Sequence, residues 1–285
     1  MIAITGATGQ LGRLVIHALL KRVPAHTIIA AVRTPAKAQD LAALGVQVRQ
    51  ADYTRPDTLD TAFHGATKVL LVSSSEVGQR VPQHQAVIEA AARAKVQLLA
   101  YTSLLRASTS PLGLAAEHVA TEALLAASAV PHVLLRNGWY TENYLASVAP
   151  ALAHGALIGS AGTGRIASAT RADYAEAAAA VLTAEAPQAG LVHELAGDTS
   201  YTLAEFAAEL SSQSGRAVVY QDLPQAAYQG ALQQAGLPEG FAALLADSDV
   251  GAAQGGLFDD SHTLSRLIGR ATTPLSVAMA QALKA

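Results

Sequence analysis

The chain of 285 residues contains no cysteine. Disulfides, thiolate metal sites and cysteine nucleophiles are therefore excluded, and the composition fits a reducing compartment. Charge is sparse as well. Asp, Glu, Lys and Arg make up 14% of the chain, the net charge is −3, and no run of Lys or Arg occurs. A basic face for nucleic acid is not indicated. No apolar run reaches the ~18 residues of a transmembrane helix. The first residues lack the basic start of a signal peptide and break at once into Gly6, Gly9 and Gly12. A soluble, cytoplasmic protein is expected. The nine histidines include no H-x-H or H-x-x-x-H pair, which argues against a metal centre. No internal repeat or long linker divides the chain.

What is present is apolar and alternating. Hydrophobic residues make up 51% and the mean hydropathy is +0.27, as in a globular protein. Short apolar runs at Ile2–Thr5, Thr27–Arg33, Val46–Gln50, Lys68–Ser73, Gln97–Thr102 and His132–Arg136 read as strands buried on both faces of a parallel sheet. Helical patterns lie between them. Leu11, Val15 and Leu19 form one apolar stripe, and Pro35 and Gly45 bracket the next helix. The alternation predicts a doubly wound α/β domain over residues 1–137. Residues 138–285 read as a smaller substrate-binding region packed on the C-terminal edge of the sheet. There a helix is expected over Tyr140–His154 and another after Thr170, with Asp173 completing a capping box. Further helices near Leu203–Ser212 and Pro224–Ala235, and a strand at Ala217–Tyr220, follow. The polar, glycine-bearing stretch "DSDVGAAQGGLFDD" (247–260) reads as a loop.

Gly6, Gly9 and Gly12 form G-x-x-G-x-x-G between a strand and an amphipathic helix. Glycines let the backbone approach a diphosphate, and the helix start aims free N–H groups and partial positive charge at it. A carboxylate near the end of the second strand would bind the adenosine ribose of NAD, but none lies between Thr27 and Gln39. Arg33 closes that strand instead, and a guanidinium suits the 2′-phosphate of NADP. NADP is therefore expected over NAD. Asp52 ends the third strand, where it can accept from the adenine amino group or start a turn. Ser73, Ser74 and Ser75 end the fourth, near the nicotinamide-side ribose.

A proton donor is missing. Short-chain dehydrogenases pair tyrosine and lysine as Tyr-x-x-x-Lys, so that the tyrosine exchanges the alcohol proton. The lysines here are Lys21, Lys37, Lys68, Lys95 and Lys284, and none has a tyrosine four residues before it. On the helix where the pair belongs, Glu117 and Thr121 hold the two positions. Ser103 matches the strand-end serine, and without its tyrosine reads as a polar contact to cofactor or substrate. No residue is assigned as general acid. His84 and His118 are candidates only in isolation, because each reads first as structural. A quinone needs a dedicated acid less than a ketone does, because its reduced oxyanion is weakly basic and positioning can supply most of the catalysis. The segment "LLRNGWYTENYL" carries the only tryptophan, Trp139, with Tyr140, Asn143 and Tyr144, on a loop where substrate would lie. Its aromatic planes could stack a flat ring, and Asn137 or Asn143 could donate to its oxygen. Trp139 could equally pack the core.

The blocks "MIAITGATGQLG", "SSSEVGQRVPQH", "AYTSLL", "LLRNGWYTENYLAS", "IASATRADYA" and "ADSDVGAAQGGLFDDS" resemble the type 2 bacterial NAD(P)H:quinone oxidoreductases, within the NmrA-like atypical short-chain dehydrogenases. The resemblance runs to about residue 270. It implies a Rossmann domain with a small mixed α/β C-terminal substrate domain, and NADPH-dependent reduction of quinones without flavin. It places the dinucleotide on Gly6, Ala7, Thr8, Gly9, Gln10, Leu11 and Gly12, on Arg33, on Ser73–Ser75, and on Asn137, Gly138, Trp139 and Tyr140. It places the quinone near Tyr140 and Asn143. Some proteins of this kind sense dinucleotides without turnover, so a redox sensor is the competing expectation. An open cleft at Trp139–Asn143 favours catalysis, and a filled one favours sensing. Besides the quinone, a second copy of the chain is a candidate partner.

Overall fold

A computed structural model describes residues 1–284. Seven parallel strands form the main sheet: β1 (Ile2–Ile4), β2 (Ile28–Val32), β3 (Gln47–Gln50), β4 (Lys68–Leu71), β5 (Leu98–Leu104), β6 (His132–Asn137) and, past a short β7 (Ala156–Gly159), β8 (Val192–Leu195). Their order is β3-β2-β1-β4-β5-β6-β8. The order reverses between β1 and β4, and that switch point opens a crevice at the carboxyl ends of the strands. All six strands expected in the first half are present. Burial on both faces explains why the inner strands read as continuous apolar runs, while the edge strand β3 is partly exposed and mostly polar.

One face of the sheet packs on the helices Gln10–Leu20 and Arg171–Thr183. Val15, Ile16 and Leu19 of the first meet Ala175, Ala178 and Leu182 of the second in one core. The run of alanines lets the two helices approach closely. Thr170 and Asp173 form the expected capping box. Asp173 does more than cap: its fully buried carboxylate also pairs with Arg270 at 2.8 Å and accepts from the Thr273 N–H at 3.0 Å, so it pins the C-terminal segment. The other face packs on Pro56–Phe63 and Arg80–Arg93, through Leu59, Phe63, Val87 and Tyr101. Helix Arg171–Thr183 and strand β8 thus return to the large sheet from beyond residue 138. Strand β8 sits at the edge, half exposed and only four residues long, and leaves little pattern in the sequence.

The remaining residues form a smaller unit beside the carboxyl ends. Strand β7 pairs in parallel with β9 (Val219–Asp222), with helix Leu203–Ser214 behind them. A helical pair, Gln225–Gln234 and Glu239–Ala253, lies alongside. Three expectations need correction. The helix expected over Tyr140–His154 is two, Thr141–Leu145 and Val148–His154, because Pro150 has no N–H for the Ala146 carbonyl and can only sit in a first turn. The strand expected at Ala217–Tyr220 lies two residues later, at Val219–Asp222. The stretch 247–260 is not all loop: Asp247–Ala253 finish the helix Glu239–Ala253. Some of its polar residues are internal. Ser248 and Asp249 are buried, and Gly251 packs so tightly on Leu112 that a Cβ would stand 2.9 Å from that side chain.

Asp249 pins this unit together. Its Oδ2 accepts from the Ser160 N–H at 2.9 Å, and its Oδ1 accepts from the Tyr144 hydroxyl at 3.0 Å. Burial pushes its carboxyl up to about 6. A carboxyl raised in the fold favours folding at low pH, and that contribution is lost as pH rises through 6. The isosteric Asp249→Asn carries no such penalty. Its stability relative to the parent should therefore improve between pH 4 and pH 8, by on the order of 2 kcal/mol. Thermal or urea unfolding across that range checks it, and a pH-independent difference would refute the assignment.

Candidate active site

The turn after β1 sets the first half of the site. Gly6 has φ +57°, a left-handed conformation that side chains rarely adopt, and its carbonyl accepts from the Gly9 N–H at 2.8 Å. Gly12 lies directly against this turn. A Cβ there would stand 2.4 Å from the Gly6 carbonyl oxygen and 2.9 Å from Ala7 Cα. The glycine spacing thus lets the first helix begin in backbone contact with the loop. No side chain caps that helix and no acidic residue occupies its first turn. Its positive end is left to an outside anion.

A cavity of about 660 Å³ opens there. Gly6, Thr8, Gly9, Gln10, Leu11 and Gly12 line one side, Arg33 and Asp52 another, and Ser73, Ser74, Ser75 and Tyr140 a third. These expected residues are therefore brought together. A turn of glycines packed without room for a Cβ on Gly12, a helix start without a cap and a guanidinium at the second strand's end fit a phosphorylated dinucleotide. Arg33 is well exposed and pairs with Glu76 at 3.1 Å. An exposed pair of this kind contributes little and is readily exchanged for a phosphate. Asp52 also serves a turn: its Oδ1 accepts from Thr54 N–H at 3.0 Å and Thr54 hydroxyl at 2.8 Å, and the backbone bond holds its carboxyl below the usual range.

Four expected cofactor residues, Ala7, Asn137, Gly138 and Trp139, do not line this cavity. Ala7 is fully buried beneath Gly12. Gly138 packs against β8, where its N–H donates to the Leu195 carbonyl at 2.7 Å and a Cβ would meet the Tyr174 hydroxyl at 3.1 Å. Asn137 is buried at the end of β6, with its Oδ1 unpartnered. Trp139 and Asn143 line a second, larger cavity of about 970 Å³. It lies between the Trp139–Asn143 segment, β7 and the helical pair, and Leu157, Leu232, Leu237, Phe241, Leu244 and Leu245 give it an apolar wall. The two cavities share Gln10. Tyr140 stands on the smaller side and Asn143 on the larger.

The positions of the missing dyad have other work. Glu117 accepts from the Gly78 N–H at 2.9 Å and pairs with the buried Arg80 at 3.3 Å, while Arg80 Nε donates to the Ser74 carbonyl at 2.8 Å. Thr121 bonds His84 Nδ1 at 2.9 Å, and His84 Nε2 accepts from the Ser74 N–H at 2.9 Å. Both residues therefore brace the Ser73–Gly78 loop that walls the dinucleotide cavity. Since Nε2 accepts, Nδ1 carries the proton and the ring is neutral. Burial, and secondarily Arg80, lowers His84 to about 3, and burial lowers His118 to about 3. His118 is tied to the Tyr101 hydroxyl at 2.7 Å. Neither histidine can act as a charged acid near neutral pH. Ser103, expected as a polar contact to cofactor or substrate, lines neither cavity: its hydroxyl donates to Glu122 at 2.5 Å, within a Glu122–Arg136–Glu194 ion cluster. Arg80, Gln83 and Tyr53 on the dinucleotide side, and Arg171 and Asp249 on the other, line the cavities without any motif that marked them.

A doubly wound sheet with an anion-binding turn at its switch point defines a nucleotide-binding α/β protein. A sequence profile described as NAD(P)H-binding matches residues 6–185, and the chain belongs to this family of NAD(P)H-binding proteins. It is 62% identical over 276 residues to quinone oxidoreductase 2 of Escherichia coli (strain K12), covering 97% of this chain and 96% of that one. A crystal structure of an NADPH-dependent quinone oxidoreductase from Escherichia coli, complexed with NADPH, matches with a TM-score of 0.97 at 61% identity, over 99% of this chain and 100% of that one. Triphenylmethane reductase from Citrobacter sp., complexed with NADP(H), matches with a TM-score of 0.95 at 39% identity, over 99% and 100% of the two chains.

Arg33→Ala should weaken NADPH by roughly tenfold or more and NADH by less than about threefold, the loss of one charge-assisted contact. Titration of both dinucleotides checks this, and equal losses would remove Arg33 from phosphate recognition.

Proposed function

We propose that this chain reduces quinones with NADPH. The observation that carries the reading is the pair of cavities meeting at Gln10, one built for a phosphorylated dinucleotide and one apolar and flanked by aromatics. The match with an NADPH-complexed quinone oxidoreductase over the whole chain supports it. Bound in the smaller cavity, NADPH supplies the hydride.

The chain's own residues do the rest. The Gly6–Gly12 turn and helix start hold the diphosphate, and Arg33 holds the 2′-phosphate. Ser73–Ser75, braced by His84 and Arg80, wall the cavity between them. On the larger side, Trp139 and the leucines exclude water and hold a flat ring. Asn143 offers an amide N–H to the ring oxygen that gains charge. The buried histidines are neutral and Glu117 is braced against the Ser73–Gly78 loop, so none of these three supplies the proton that completes the hydroquinone. Overall, quinone, NADPH and one proton give hydroquinone and NADP⁺.

The competing reading, a dinucleotide sensor without turnover, needs the Trp139–Asn143 side filled. The volume of about 970 Å³ beside those residues supports turnover instead. No helix among the described residues is long and apolar enough to cross a membrane. A cytoplasmic site of action, without nucleic acid, fits the absence of cysteine and the net charge of −3.

Purified protein should oxidise NADPH only when a benzoquinone is added, with hydroquinone formed mole for mole. Loss of reduced-nicotinamide absorbance measures the rate. Binding of NADPH with no quinone-dependent rate would favour the sensor.

A further inference from the structure

Arg171 opens the helix Arg171–Thr183 and touches both cavities' walls. Its guanidinium carbon lies 4.4 Å from the centroid of the Tyr140 ring, which lines the dinucleotide cavity. Its Nη2 donates to Asn143 Oδ1 at 2.8 Å, and Asn143 lines the large cavity. Its charge is balanced by Glu142, with Nη1 at 3.4 Å from the carboxylate. That carboxylate also accepts from the Arg171 backbone N–H at 2.9 Å, which fixes the start of the helix beneath it. Among the described residues, Arg171 is the one Lys or Arg lining the large cavity.

The chemistry of the guanidinium decides what this contact does. Arginine has donors only, so the atom of Asn143 facing it must be the carbonyl oxygen. The amide nitrogen of Asn143 is then turned away, and it neither donates to another residue nor lies buried without a partner. It remains a donor for whatever occupies the cavity. A flipped amide would present an acceptor instead and repel a ring oxygen that is gaining electrons. The same planar fork stacks on Tyr140, which is held from another side by Tyr174 in an edge contact at 5.4 Å. A lysine's point charge cannot both stack and donate in plane.

We infer that Arg171 is a positioning residue for the reduction: it orients the Asn143 amide as a donor to the substrate oxygen and holds Tyr140 against the dinucleotide. This rests on the placement of the quinone in the large cavity.

The test is a double-mutant cycle in the full chain, with Arg171→Met, Asn143→Ala and both together. Quinone KM and kcat are read against a benzoquinone, and NADPH Kd is read by direct titration of Trp139 fluorescence. Each single variant should raise quinone KM by about tenfold, and the double should be no worse than either, because the two residues act as one unit. Arg171→Met should also weaken NADPH by a few-fold through Tyr140, while Asn143→Ala leaves it unchanged. Arg171→Lys, which keeps the Glu142 pair and the fold, should show the same rise in quinone KM. Losses that multiply in the double variant, or an unchanged quinone KM in Arg171→Lys, would overturn the role of Arg171 and leave the quinone placement standing. No effect from Asn143→Ala would overturn the placement, and the inference with it.

Discussion

The site depends on a backbone contact that has no room for a side chain. Gly12 sits against the Gly6 carbonyl so closely that a Cβ would come within 2.4 Å of it. This contact brings the first helix to the end of β1 and aims its uncapped N-terminus into the crevice between β1 and β4. The helix can keep that orientation because its other face is locked onto the alanine-rich helix Arg171–Thr183. That second helix begins with Arg171, so the same packing that aims the glycine turn also delivers the guanidinium to Tyr140 and Asn143. One packing decision places groups of both cavities.

A braced wall stands where an acid would. Where a tyrosine and a lysine would meet an alcohol, Glu117 and Thr121 reach back, through Arg80 and His84, to the backbone of Ser74. Burying an Arg–Glu pair costs desolvation and returns it only when the pair is well bonded. Here the pair spends its hydrogen bonds on the loop that faces the dinucleotide. A rigid wall suits a reaction that gains from orientation more than from proton transfer. A quinone is such an acceptor, since hydride delivery makes a weakly basic oxygen that one amide donor can stabilise. The same geometry would serve an alcohol dehydrogenase poorly.

The parts legible in the sequence were those written in local spacing. Buried parallel strands read as apolar runs, and the glycine triplet read as a phosphate turn because a strand and a helix flank it. Arg33 stood out because no carboxylate accompanied it. What escaped was written in tertiary contacts. Ser103 looks like a site residue on its strand and is consumed by Glu122 across a helix. Ala7, Asn137 and Gly138 belong to segments that reach the smaller cavity, and they are buried behind its lining. The stretch from Asp247 to Ala253 reads as loop because its residues are polar or small; Asp249 and Gly251 are internal because Gly251 admits Leu112 and Asp249 accepts from the Ser160 N–H. Arg171 reads as an ordinary first-turn residue until folding sets it over Tyr140.

The most direct test of the central claim is the NADPH affinity of Gly9→Val. Gly9 has an ordinary extended backbone, with φ −75° and ψ 168°, that valine can adopt, and its Cβ would stand 3.1 Å from the Gly6 carbonyl oxygen, so the turn must give by a few tenths of an ångström to admit it. Calorimetric titration should show NADPH binding weakened by about a hundredfold or more, with the circular dichroism of the parent retained. A variant that keeps both that spectrum and the parent's affinity would mean that the diphosphate is held elsewhere.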